Sequence, residues 1–222
     1  MTSAIEAKIN IILTKLKKDE RLNQYVDWTL PILKPYCGLG EIKLIVLGQD
    51  PTIKDSENRK NIKTVLNLDK NRSVHAYLAG ICNGLGIKIT ENVYATNLCK
   101  NFFIRPPTKI NEIDIFKEFM KCWLPLLKHE LELFESVPML TMGEPVLTHI
   151  ISRNVSNKLK DYWGYTSDWQ TGKAKSFQYI FATENLLERV IFPFSHIPTM
   201  RKQFYKAKIK DYISFVRSIA FS

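Results

Sequence analysis

Three side chains in this 222-residue chain have the chemistry of a reaction site and occupy comparable places in the sequence. Asp50 lies in "EIKLIVLGQDPTIKD", where an apolar run from Ile42 to Leu47 breaks at once into Gly48, Gln49, Asp50, Pro51 and Thr52. Asn97 closes "NVYATN", and His196 follows "RVIFPFS". A carboxylate just past a strand has two readings. It turns the backbone through its own side chain, as Asx residues do, or it projects into a cleft as a base. An amide both donates and accepts hydrogen bonds, and an imidazole supplies a donor. Each residue also has a plain structural reading, as a turn, a strand end or a surface loop. Their common position after strand-like runs is what links them.

The elements that must position these groups are legible. "IKLIVLG" is short, β-branched and apolar on both faces, as expected of a central parallel strand. "NVYATNLCK" is a second strand ending at Asn97. "SVPMLTMGEPV" is a third, turning at Gly143 into a helix near 146–151. "SFQYIFATEN" alternates as a candidate strand, and "RVIFPFSHIPT" is the last strand and its loop. Between them lie helices. Ser3 is placed to cap the first, with Glu6 as capping-box partner and Ile9, Ile12, Leu13 and Leu16 at helical spacing. "SVHAYLAGICNGLGI" reads as a capped helix from Ser73 to Gly84 and Gly86. A third helix carries Trp123, Leu126 and Leu127, with Pro125 expected to kink or break it. A basic amphipathic helix ends the chain. Strands alternating with helices predict a three-layer α/β/α fold around a central, mainly parallel four-stranded sheet. Ligands of such sheets lie beyond the carboxyl ends of the strands, where Asp50, Asn97, Gly143 and His196 all fall. The expectation is one domain over 1–222, with 1–40 as an N-terminal helical segment packed on it.

The formal net charge is +10. A chain this basic suits a polyanionic partner, nucleic acid first, because neutralised phosphates release counterions; the competing reading is a solvated, lysine-rich surface. Four cysteines, at 37, 82, 99 and 122, form no C-x-x-C pair, which suggests buried free thiols in a reducing compartment. The start of the chain lacks an uninterrupted apolar stretch of the signal-peptide kind, and no apolar run reaches the ~18 residues of a membrane span. An intracellular protein with no membrane partner is expected.

Taken together, the motifs resemble the uracil-DNA glycosylase superfamily over roughly residues 42–205. "LGQDPT" resembles its water-activating "GQDPY" motif. "VYATNLCKNFFIRPP" is similar to the segment with a base-recognising Asn followed by an "RPP"-like stretch. "MLTMGEPV" resembles the strand and turn before a helix, and "FPFSHIPTMRKQFY" stands where the "HPS" motif would be. Some branches hold an iron–sulfur cluster through four cysteines. Here Cys122 sits near one such position, Asn101 stands at another and the N-terminal pair is absent, so neither cluster, metal nor other cofactor is expected.

The resemblance implies a monofunctional DNA glycosylase that hydrolyses the N-glycosidic bond of uracil or a related deaminated base, acting as a monomer on a base flipped out of DNA. Asp50 would orient water and offset the charge of an oxocarbenium-like sugar, as carboxylates do in glycoside hydrolysis. His196 would donate to the departing base's carbonyl oxygen, as in an oxyanion hole. Asn97 would pair with the base edge, and Gln49 would contact the base or its phosphate. Thr52 stands where the best-known branch has a Tyr that blocks the thymine methyl, which implies a wider pocket. Leu66 stands where an aromatic ring stacks on the base, with Phe102 or Phe103 as other sources of a ring. Ser195, Met200, Arg201 and Lys202 are the expected DNA contacts, Met200 as the wedge and Arg201 second. Lys206, Lys208 and Lys210 would add phosphate contacts. Two other readings stand beside this one: a weak or inactive glycosylase-fold protein that only binds nucleic acid, and an enzyme of the same fold acting on another base or a free nucleoside.

Overall fold

The computed structural model describes residues 3–200 and 202–221. One sheet of five strands organises them, in the order β1-β3-β2-β4-β5. The strands are β1 (Tyr36–Cys37), β2 (Leu44–Gly48), β3 (Val93–Asn97), β4 (Met139–Met142) and β5 (Ile191–Phe194). β2 pairs in parallel with β3 and β4, and β4 with β5. Leu44, Ile45, Val46 and Leu47 are all fully buried, the signature of a strand covered on both faces.

Five longer helices are labelled here: α1 (Ser3–Lys18), α2 (Ser73–Leu85), α3 (Ile115–Leu131), α4 (Glu144–Ile150) and α5 (Gln203–Ala220). α2 packs on α5 and α1 on α3, giving the expected α/β/α layers. Two apolar cores result. The larger lies about the sheet, and the smaller joins Ile5, Ile9 and Leu16 of α1 to Phe116, Phe119 and Trp123 of α3. The N-terminal segment is therefore packed onto the sheet domain. No helix among the described residues is long and apolar enough to cross a membrane.

Several expectations are corrected. The sheet has five strands, not four, because Tyr36–Cys37, within the Pro- and Gly-rich stretch, pairs antiparallel with β3. "SFQYIFATEN" forms no strand. It meets β5 only at the Ile180–Ile191 bridge, while Phe177 and Tyr179 pack on the aromatic face of α5 and β5. α3 runs on through Pro125; that residue is exposed, so the carbonyl left without a donor can face water. α2 is preceded by Arg72, not capped by Ser73, and no side chain caps it. Gly84 lies inside that helix, where a Cβ would meet Ile213 of α5 at 2.6 Å, so it allows close helix packing; Gly86, at φ +80°, ends the helix as expected. The side chain of Ser3 lies outside the described residues, and so does Arg201.

Candidate active site at the carboxyl end of the sheet

The break after β2 is fixed from below. The N–H groups of Leu98 and Cys99 donate to the carbonyls of Gly48 and Gln49, both at 2.9 Å, so the β2–β3 ladder continues past the strand ends. Gly48 is required here: a Cβ on it would overlap the Oδ1 of Asn97 and press on Leu66. Beneath β3, buried Lys100 bonds Glu130 of α3 and the Thr96 hydroxyl, and Tyr94 donates to the same carboxylate. These bonds tie the end of β3 to a helix.

Asp50 both turns the backbone and lines a cavity. Its Oδ1 accepts from the Thr52 N–H at 2.7 Å, an Asx turn. Burial pushes the carboxyl up to about 6 from an ordinary 3.8, against the Thr52 bonds and the Arg59 charge, which hold it down. The acid is therefore mostly ionised at neutral pH and stays basic enough to take a proton.

A cavity of about 340 Å³ opens over this turn, lined by Gly48, Gln49, Asp50, Thr52, Leu66 and His196 among others. His196, at the rim, is exposed as a residue, yet partial desolvation lowers the pKa of its imidazole, favouring the neutral form. Asn97 is 2% exposed. Its Oδ1 accepts no hydrogen bond and packs against Gly48, which lines the cavity, but Asn97 itself does not line it. The acid and the imidazole thus share one cleft, and the expected amide lies behind its Gly48 wall.

The remaining expected residues divide. Gln49, Thr52 and Leu66 line the cavity, although the Thr52 hydroxyl is already accepting from the Phe103 N–H at 2.8 Å. Ser195 is corrected as a surface contact: it is fully buried, and its carbonyl accepts from the Tyr77 hydroxyl at 3.0 Å. Met200 ends a one-turn helix (Ile197–Met200) and packs, half-buried, on the main core. Lys202, Lys206 and Lys210 are exposed, while Lys208 is half-buried and lies 3.5 Å from Asp211. Phe102 and Phe103 are core residues and neither lines the cavity, which has no Phe, Tyr or Trp among its described lining residues.

Four participants escaped the sequence reading of the site. Asn67, Arg72 and Ser73 line the cavity. Arg59, 4% exposed, donates to the carbonyls of Ile53, Phe103 and Ile104 at 2.9–3.2 Å. That guanidinium clamps the Asp50 loop to the loop after β3. Only the asparagine in "VLNL", a type that tolerates left-handed backbone, gave any hint.

A larger groove of about 770 Å³ lies at the opposite end of the sheet, by Pro138 and Val190. Its Arg189 is committed to the carbonyls of Leu131 and Phe134, and the acid–amide–imidazole group is absent there. The expected acid and imidazole are therefore brought together only at the smaller cavity among the described residues. Among the described residues no cluster of three or more His, Cys, Asp or Glu is arranged to hold a metal ion. The sequence matches no family model and no curated protein.

Proposed function

We propose that the chain is a monofunctional DNA glycosylase that hydrolyses the N-glycosidic bond of a deaminated base in DNA. The observation that carries this reading is the meeting of Asp50 and His196 at one cavity, with the unpaired Asn97 amide oxygen packed behind its Gly48 wall. In this reading the Asp50 carboxylate orients water at the sugar C1′, and its charge offsets that of the oxocarbenium-like transition state. Neutral His196 donates to the base carbonyl that gains negative charge as the bond breaks. Asn97 meets the base edge, and a mismatched base is rejected because its amide would stay buried and unpaired. Arg72 at the rim and the exposed Lys202 supply charge for phosphates.

A second reading, a glycosylase-fold protein that only binds nucleic acid, is favoured by one observation: among the described residues no Phe, Tyr or Trp lines the cavity to stack on a base, a contact worth ~1–3 kcal/mol. One experiment separates the two. Oligonucleotides carrying uracil, hypoxanthine, xanthine or a thymine mispair are incubated with the protein and probed for alkali-labile sites, beside Asp50→Asn. The glycosylase reading expects abasic product from at least one lesion and a loss of at least a hundredfold in the variant. Binding without product from any lesion supports the second reading.

A further inference from the structure

The turn Val65–Asn67 packs on β3. Its base is fixed. Val65 and Leu68 are each 2% exposed, the Val65 N–H donates to the Lys34 carbonyl at 3.0 Å, and the Thr64 hydroxyl donates to Asp69 at 2.6 Å. Its tip is strained. Leu66 (φ 57°) and Asn67 (φ 55°) are both left-handed, a region that leucine rarely enters and asparagine tolerates.

Leu66 also stands over Asn97. A Cβ on Gly48 would overlap the Asn97 Oδ1 and lie 3.1 Å from the Leu66 Cδ2, so the amide oxygen and the leucine methyl crowd one spot at the end of β2. Leu66 lines the cavity. Asn97 is 2% exposed and its Oδ1 accepts no hydrogen bond. Strain at the tip and an unpaired acceptor beneath it both raise the energy of this closed arrangement. With the ends of the turn fixed, rotation at 66–67 changes the tip alone. We propose that Leu66 is a gate. It covers the Asn97 amide in the free protein and turns aside, out of the left-handed region, when a base enters, which opens the amide to the base edge. The role of the base rests on the glycosylase reading; the cover over Asn97 is measurable without it.

A gate and a stacking platform predict opposite signs. If Leu66 supported the base by stacking, as the resemblance implies, shortening it would weaken excision. A gate lowers apparent affinity because only the open fraction binds, so shortening it raises kcat/KM. The test compares the wild type, Leu66→Ala and Leu66→Gly on the duplex whose lesion the wild type excises. The expected result is a kcat/KM raised about tenfold in Leu66→Gly, mainly through KM. Without DNA, hydrogen exchange at the Asn97 side-chain amide, assigned by its loss in Asn97→Asp, is expected to be about tenfold faster in both variants. The backbone amide of Val46, which is fully buried in β2, serves as the reference for global unfolding. A kcat/KM that is unchanged or lower, or an Asn97 amide that exchanges no faster relative to Val46, overturns the gate and leaves the glycosylase reading intact. Should Leu66→Gly not fold, Leu66→Ala carries both measurements. If the wild type excises no base, the glycosylase reading falls, and the exchange comparison by itself decides whether Leu66 covers Asn97.

Discussion

At the scale of single residues, Asp50 sets function against stability. Its carboxyl is raised to about 6 in the folded protein from 3.8, so the native state holds this proton more tightly than the unfolded chain does. A raised acid makes the folded state less stable at neutral pH, and that loss is recovered as pH falls through 6 towards 4. Asp50→Asn, which keeps the acceptor for Thr52, is therefore expected to stabilise the protein by about 1–3 kcal/mol above pH 7 and by nothing below about pH 4. Thermal melts of both proteins across that range check the sign. Equal melting temperatures at every pH would show that desolvation does not govern this carboxylate. Glycosylase activity, on the proposed reading, falls on the acid side of about pH 6 as Asp50 protonates.

At the scale of elements, the site depends on two loops held together. Arg59 leaves a one-turn helix after β2, and its guanidinium reaches carbonyls in the Asp50 loop and in the loop beyond β3, with Asp27 of the N-terminal segment 3.8 Å away. Arg59→Met removes the donor to these carbonyls and the positive charge near Asp50. Destabilisation of roughly 2–4 kcal/mol is expected in urea titrations, with the acid limb of the activity profile moving to higher pH, because Arg59 holds the Asp50 pKa down. Stability lost without a displaced limb would mean that the clamp acts on the fold alone. The strands read most clearly from sequence were those apolar on both faces, since continuous burial leaves a continuous hydrophobic run. The two-residue β1 and the aromatic stretch at 177–181 were misread because pairing with a neighbour, not local composition, decides whether an extended segment joins a ladder.

At the scale of the whole molecule, on the proposed reading, the charge of +10 makes association with DNA strongly dependent on salt. The logarithm of affinity should fall linearly with the logarithm of salt concentration. Lys202→Ala and Lys206→Ala, both exposed at the start of α5, are each expected to weaken binding uniformly across sequences and to lower the slope by about one. Fluorescence anisotropy with a labelled duplex at several salt concentrations measures this. A slope unchanged by either substitution would move the DNA path away from α5.

The sequence by itself determined the alternation of buried strands and helices, and with it the end of the sheet where a ligand would lie. This follows because hydrophobic periodicity and strand-ending turns are local properties of the chain. It also carried the identity of Asp50, Asn97 and His196 as groups with useful chemistry. Only the tertiary structure decided that Asp50 and His196 share a cavity while Asn97 lies behind its Gly48 wall, that Ser195 faces inward, that Phe102 and Phe103 belong to the core, that Asn67 lines the cavity and that Arg59 clamps its loops. Those outcomes depend on contacts between segments distant in sequence, on which carbonyls lack donors and on where the backbone turns left-handed. No window of residues encodes such relations.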